Sequence, residues 1–427
     1  MSKSKVIIRK CGSYNQKELI KFFSEALEIL ELENKIKGKI VIKPNVVLAH
    51  PKVAPSAFTK PEFLDALMST LIEKSKNNIY FRIIENSGVG IPTSRMFKRA
   101  GYKNLEKKHP VKLIPYEESK KVKVKLQKGK VHSEITVQKD LIENDFLIYT
   151  PKLKTNVLDF GMTAALKLNI GILSDKERMK FHTYQLQEKI VDLLEIGVPD
   201  FIATDAIEIA IGGNQMTEHS LQLGAVVASN NPLAHDVVCA RILNLDPKNL
   251  PSLKEASERG YGSLDIKDID IDTDISIEEL QNKTKNVNNG FTRVDSVNGP
   301  FKVLSGEPYC TGGCQGIMLD WLYMLKDRAP LKFNQKKDVT VIIGKYSGNV
   351  SSKKVILLGD CAEVNGKIQA KRIMKIKGCP PRHRDLILHF FLKTGVRAPL
   401  MRMDLLIDAY PFLFWSHLKG KIKNMLI

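Results

Sequence analysis

Apolar positions recur along this chain with two periods, and the switches between them mark out short strands and amphipathic helices. Strands are read over 5–9, 39–43, 79–85, 112–115, 146–150, 201–205 and 224–228, and helices over 16–32, 61–74, 93–100, 185–194 and 232–243. That succession is the α/β pattern, so the fold expected is mixed or mostly parallel sheets with flanking helices. Residues 265–290 alternate Asp with Ile and end in Asn286-Val-Asn-Asn-Gly290, a composition shift that reads as a linker, and the break is placed near Asp295. Beyond it come a strand over 301–304, a cysteine loop, a helix over 315–326 and strands over 339–343 and 354–358. Three units are therefore expected: a large α/β domain over 1–295, a smaller α/β cysteine domain over 296–381, and a basic amphipathic helical tail over 382–427.

Composition narrows this picture. With 427 residues, 43% hydrophobic and 26% charged, the chain is long and apolar enough to form cores, which excludes global disorder, collagen and coiled coil. Its longest apolar runs, such as Phe146 to Thr150, Val339 to Ile343 and Leu386 to Leu392, are far shorter than the roughly 20 residues of a membrane-spanning helix. The amino terminus has charge without a following apolar stretch, so a cytoplasmic place is expected.

The net charge is +19, and its bias toward the C-terminal end favours an acidic partner there: an acidic electron carrier or an anionic membrane surface, with nucleic acid disfavoured. In the tail, Leu386 to Leu392, Phe414, Trp415, Lys419, Lys421 and Lys423 suit a helix lying at the inner face of a membrane. The competing and favoured expectation is that the same apolar faces pack on the cysteine domain or on a second copy in a homodimer. Lys120 to Lys130 alternates lysine with apolar residues, as an exposed strand with a solvated, aggregation-blocking face would.

Six cysteines in such a chain point to metal binding or catalysis rather than a disulfide framework. Cys11 and Cys239 lie in apolar stretches and read as small buried hydrophobes. Cys310, Cys314, Cys361 and Cys379 stand beside Gly, Asp or Pro, and Cys310 and Cys361 follow the carboxyl ends of predicted strands. Glycines in Cys310-Thr-Gly-Gly-Cys314 free backbone N–H groups for an anion at a helix start. Pro380 directly after Cys379 matches ferredoxin-type sites. Four thiolates suit one 4Fe–4S cluster. Zinc is the less favoured occupant, because only the first pair has the close spacing of structural zinc sites, and unligated thiols are the third reading. Lys375, Lys377, Arg382 and Arg384 are expected beside the cluster, raising its potential.

The sequence resembles the domain-of-unknown-function family 362, in its version with cysteines in a C-terminal extension. The residues that carry the resemblance are Lys43-Pro-Asn45, Phe97 with Gly101-Tyr102, Pro151-Lys-Leu-Lys-Thr155, Ala165-Leu-Lys167 with Gly171, His182, Asp205-Ala206, and Ala234 with Asp236. It departs from the family in having Asn156 where His usually follows Lys-Thr, in Lys167-Leu168-Asn169 for the usual Lys-Asn pair, and in a Gly212-Gly-Asn turn without the usual Pro. The resemblance implies an iron–sulfur association and assigns no reaction.

Lysines at strand ends make an anion site, and one desolvated by its neighbours can serve as acid, base or Schiff-base amine. Lys154, Lys167 and His182 are the catalytic candidates, and Lys43, Asn45, Lys152, Asp205 and Asp236 the ligand-binding ones, for an anionic small molecule. The bland reading of each is a solvated or salt-bridged lysine, with Asp159, Asp175 and Glu177 as partners, and a locally packed histidine. Asn86-Ser-Gly-Val-Gly90 and Gly212-Gly-Asn can offer backbone donors, but neither has a nucleotide-binding spacing. Three classes of function stand: an iron–sulfur oxidoreductase or electron-transfer protein, a non-redox acid–base enzyme of racemase or isomerase type with a structural metal site, and a cluster-binding assembly protein without turnover.

Overall fold

In the computed structural model the described residues are 3–158, 161–214, 217–287, 292–382, 385–396, 414–416, 418–420 and 422. The strands of the first unit are β1 (Ser4–Lys10), β2 (Gly38–Pro44), β3 (Ile79–Glu85), β4 (Val111–Pro115), β5 (Lys121–Lys125), β6 (Glu134–Gln138), β7 (Phe146–Thr150), β8 (Lys152–Asn156), β9 (Gly161–Thr163), β10 (Phe201–Ala210), β11 (Ser220–Ser229) and β12 (Ile269–Thr273). Eight of them run in the order β12-β1-β11-β10-β7-β2-β3-β4, with β8 and β9 joined beside β10. The run from β10 to β4 is parallel, whereas β11 is antiparallel to both neighbours.

The parallel strands read as continuous apolar runs because helices cover both faces of the sheet. Ile40 and Ile42 of β2 join one core with helices Gln16–Ile29 and Pro61–Lys74, while Val41 between them joins another with Leu147, Tyr149 and Leu168. Asn15 starts the first helix by accepting the N–H groups of Lys17 and Glu18. That helix ends three residues earlier than its apolar pattern suggests, because Glu31 turns left-handed (φ 56°) and Leu32 folds back, its N–H donating to Leu27. The lysine run behaves as expected: β5 and β6 form a two-stranded antiparallel hairpin with exposed Lys121, Lys123 and Lys125.

The second unit holds β13 (Lys302–Ser305), β14 (Val339–Ser347), β15 (Val350–Ser351), β16 (Lys354–Asn365), β17 (Ile368–Gln369) and β18 (Arg372–Ile376). Its sheet, β13-β14-β16-β18, is wholly parallel. Parallel neighbours ordinarily need a helical crossover. Only β13 to β14 has one, the helix Cys314–Arg328 followed by Pro330–Asn334. The later strands coil directly into one another, with the small parallel pair β15–β17 turning the chain back around Ile342, Val350 and Val355. This half is a short solenoid, stacked coil upon coil, which the sequence reading of strands and helices did not anticipate.

The seam between the units is apolar and continuous. Met318, Trp321 and Val341 of the second unit share one core with Phe23, Phe63 and Phe146 of the first. The start of the tail joins it: Leu386, Phe390 and Val396 are buried, and the Phe390 ring meets Phe301 edge-on at 4.9 Å. Among the described residues no helix is long and apolar enough to cross a membrane. Replacing Phe390 by Ala is expected to cost about 3–5 kcal/mol, as for other buried aromatics, read as a lower urea midpoint. An unchanged midpoint would mean that the tail does not hold the seam.

Candidate functional site

The carboxyl ends of β2, β3, β7 and β10 bring charged residues to one end of the sheet, where α/β folds place their ligands. Burying a cation there requires a carboxylate beside it. Lys43 of β2 is fully buried and ion-paired with Glu85 of β3. Burial pushes Lys43 down and Glu85 up, and each opposes the shift of the other. Gly171 lies against this pair so closely that a Cβ there would stand 2.5 Å from a Glu85 oxygen and 2.6 Å from Lys43 Nζ. Lys152 is likewise paired with Asp205 at 2.8 Å, both fully buried. The Tyr14 hydroxyl closes that group, donating to Asp205 Oδ1 at 2.9 Å and accepting from Lys152 Nζ at 2.8 Å. The Lys60 N–H takes the other Asp205 oxygen at 3.1 Å.

Lys154, next on the same face of β8, is placed differently. It is buried, and the acceptors it meets are neutral: Ala57 O at 3.3 Å and Asn45 Oδ1 at 3.5 Å. Burial first, then the positive charge of Lys167, lowers it from 10.5 to about 8, with Glu85 and Asp320 acting the other way. An amine so poised is partly neutral near physiological pH and can take a proton or attack a carbonyl. Lys167 donates to Leu158 O at 2.9 Å from the short helix Ala165–Leu168. Asp236 holds that helix in place, accepting the N–H groups of Ala165 and Leu166 at 2.8 and 2.9 Å.

The second centre lies at the cysteines. Cys310, Cys314, Cys361 and Cys379 all line one cavity of about 60 Å³, with Thr183 and Tyr184 on its other wall. Cys361 does not follow a strand end, as the sequence suggested; it sits within β16, at an irregularity where Ile343 and Lys345 of β14 face Leu358 and Glu363. The bulged residues turn Cys361 inward. Gly359 begins the bulge at φ 97°, and a Cβ on it would stand 2.8 Å from Cys314 Sγ, so both backbone and space call for glycine. The turn bearing Cys379 is tied to this bulge, because Asp360 and Gly378 exchange hydrogen bonds at 2.8 and 3.2 Å.

On the opposite side, the N–H groups of Gly313 and Cys314 face the Cys310 sulfur. Burial, and less so nearby Cys379 and Cys361, pushes the Cys310 thiol up to about 12. Cys314 is raised by burial and by all three other cysteines. Burial thus favours the neutral thiol at Cys310 and Cys314, and a bound cationic centre would favour the thiolate there. Among the described residues no three His, Cys, Asp or Glu side chains are already arranged to hold one metal ion.

Of the predicted residues, Lys43, Asn45, Lys152, Lys154, Lys167 and Asp205 come together at the sheet end. His182 reaches the cysteine loop, where its Nδ1 donates to Gly312 O. Asp236 is a helix anchor rather than a ligand-facing group, and Asp205 is taken up by Lys152, Tyr14 and Lys60. The proposed glycine-loop donors are also engaged internally, Gly90 N–H with Asp175 at 2.8 Å and Gly213 N–H with Thr155 Oγ1 at 3.0 Å. Lys375 donates to the carbonyls of Asp360 and Ala362, strapping the bulge, while Lys377 and Arg382 are exposed; Arg384 and Asp159 lie outside the described residues. Cys11 and Cys239 are buried in the first unit. Sequence reading missed Glu85, Tyr14 and Asp320. Only Asp320 left a signal, a lone acid within the apolar run Gly316-Ile-Met-Leu-Asp-Trp-Leu. It is buried in the helix that starts at Cys314 and acts on Lys154, so one helix touches both centres.

Residues 40–241 match the family described as Domain of unknown function (DUF362). A thylakoid-associated protein of Synechocystis sp. is 28% identical over 131 residues, 29% of this chain and 40% of that protein. The chain thus spans well under half of that relative's length. Among solved structures, the lactate racemase apoprotein from Thermoanaerobacterium thermosaccharolyticum is similar at 12% identity and a TM-score of 0.41, covering 81% of this chain and 69% of that one. A protein from Thermotoga maritima is similar at 13% identity and a TM-score of 0.37, covering 78% and 71%.

Two expectations follow from the lysine cluster. Gly171→Ala forces the Lys43–Glu85 pair apart and is expected to cost about 3–5 kcal/mol, the range for breaking a buried pair. Gly12→Ala, with nothing within 4 Å of its Cβ, is the control in the same urea titration. For Lys154 the folded value of about 8 lies below the ordinary 10.5, so between these pH values the unfolded chain binds more protons and stability rises with pH. Lys154→Met should shrink that rise by one lysine's share, Lys189, which burial lowers to about 7, still contributing. A titration of the methylated Lys154 amine by NMR that centres at the ordinary lysine value would refute it.

Proposed function

We propose that this chain is an iron–sulfur protein, an oxidoreductase or electron-transfer protein, in which Cys310, Cys314, Cys361 and Cys379 hold one 4Fe–4S cluster. The observation that carries the reading is the convergence of four cysteines from three separate turns on one cavity. Four thiolates are the ligand count of such a cluster, and the Gly313 and Cys314 N–H groups facing Cys310 suit its negative charge. When bound, such a cluster supplies one-electron oxidation and reduction.

The residues of the chain divide the remaining work. Lys154 and Lys167 offer positive charge to an anionic small molecule, such as a carboxylate, and Lys154 is suited to hold or release a proton. Exposed Cys379, with exposed Lys371, Arg372, Lys375 and Lys377 nearby in sequence, favours approach of an acidic electron carrier from the solenoid side. The name of the Synechocystis relative favours a peripheral place at a membrane face for this chain as well. A second reading, a non-redox acid–base enzyme with a structural metal site, is favoured by one observation, the lowered Lys154.

Anaerobic purification with iron and sulfide analysis tests the proposal. About four irons and four sulfides per chain are expected, with a broad band at roughly 400 nm that bleaches on reduction. Cys379→Ser should lose most of the iron, whereas Cys11→Ser and Cys239→Ser should keep it. One zinc per chain without iron would sink the redox reading and leave the acid–base one.

A further inference from the structure

The tail treats its two described parts in opposite ways. Leu386 and Phe390 bury their side chains in the seam. The helical residues among 414–422 instead dock through a polar and small face. Ser416 Oγ bonds Glu117 Oε1 at 3.1 Å, Lys419 Nζ bonds Glu118 at 2.9 Å, and Gly420 lies against the backbone of both glutamates. Glu117 is itself fixed, because it accepts the Thr93 and Ser94 N–H groups that open the helix Thr93–Arg99. The apolar residues of the same helical turns point outward: Phe414 is 67% exposed, Trp415 65%, Leu418 37% and Ile422 50%. Positions i, i+1, i+4 and i+8 share one helix face. This is the reverse of the usual packing, in which the apolar stripe turns to the core.

We propose that this face is a docking surface for an anionic lipid bilayer, with Phe414, Trp415, Leu418 and Ile422 entering the headgroup boundary. The proposal deepens the membrane-face reading above and rests on it. Charge complementarity selects the occupant. The β5 strand begins three residues after Glu118 and carries Lys121, Lys123 and Lys125 on its exposed face, of which Lys123 is paired with Glu134. The sequence adds Lys421 and Lys423 beside Lys419, in a chain of net charge +19. Basic residues beside an apolar helix face carrying Trp and Phe are what an interfacial helix presents to anionic lipid. A second copy would bring the same positive charges to the contact. Four side chains are also far short of the roughly 800 Å² per partner of a standard protein interface, whereas a bilayer needs only their insertion.

The test uses the full-length, anaerobically purified protein in flotation with vesicles rich in phosphatidylglycerol and with phosphatidylcholine vesicles. Flotation with the anionic vesicles alone, weakened by salt, is expected, together with a blue shift of Trp415 emission; the other tryptophan, Trp321, is already buried. Replacing Phe414, Trp415, Leu418 and Ile422 together by Ser should weaken partitioning at least tenfold. Lys121→Glu with Lys123→Glu and Lys125→Glu should do so by on the order of a hundredfold, and Trp415→Phe should retain binding. Iron and sulfide are measured in every sample: loss of iron with intact flotation counts against the cluster alone, and retained iron without flotation counts against the docking surface alone. The proposal is overturned if the folded chain ignores both vesicle types, if the four-Ser variant floats as well as the parent, or if that variant instead dissolves a dimer present without lipid.

Discussion

A cation buried at the end of a parallel sheet has to be neutralised, and this requirement organises the first unit. Lys43 and Lys152 satisfy it with Glu85 and Asp205, carboxylates from other strands of the same sheet, and Tyr14 and Gly171 are shaped to the resulting pairs. Such pairs contribute little net stability, yet removing one partner is costly because it strands a buried charge. They therefore fix strand ends in position more than they hold the fold together. What they fix is Lys154, two residues beyond Lys152 on β8, which meets amide and carbonyl oxygens where its neighbours meet carboxylates. Lys154 is thus left with neutral acceptors while the two lysines beside it are neutralised by carboxylates.

The second centre is joined to the first by shared elements. The helix Cys314–Arg328 begins at a cavity-lining sulfur and carries Asp320 into the field of Lys154 two turns later. From the other direction, the segment bearing His182, Thr183 and Tyr184 leaves the first unit to grip the Gly312 carbonyl and form a wall of the cysteine cavity. The two groups of residues are therefore held in fixed relation by shared, buried elements.

Much of this was legible in the chain. The helices and parallel strands of the first unit follow from apolar runs and caps, and the four cysteines sort themselves by their neighbours, Gly, Asp and Pro. Two kinds of information were not legible. The solenoid turns of the second unit depend on two-residue strands, β15 and β17, which are too short to carry a period. The fate of each lysine depends on which acid the fold sets beside it: Glu85 looks like any strand-end acid, and Tyr14 lies far from Asp205 in sequence. The bond from His182 to Gly312 was illegible for the same reason, since a backbone carbonyl leaves no trace in side-chain pattern. The stretched β16 shows how a strand assignment hides function, because it is the bulge within the strand that turns Cys361 into the cavity.

The cysteines also differ in what supports them, and this sets an order on the site. Cys310 and Cys314 are buried on a loop clasped by the first unit, whereas Cys361 and Cys379 ride on turns of the solenoid linked by Asp360 and Gly378, with Cys379 exposed. All four cysteines of the cavity belong to the second unit, and the first unit adds Thr183 and Tyr184 to its wall. An occupant ligated by all four would tie the Cys310–Cys314 loop to the solenoid turns, so its binding energy would become docking energy between those two parts. The apolar seam through Trp321 and Phe390 already holds the two halves together without it. The sulfurs thus grade from the buried pair Cys310 and Cys314 through half-buried Cys361 to exposed Cys379, so any occupant would meet solvent on the Cys379 side.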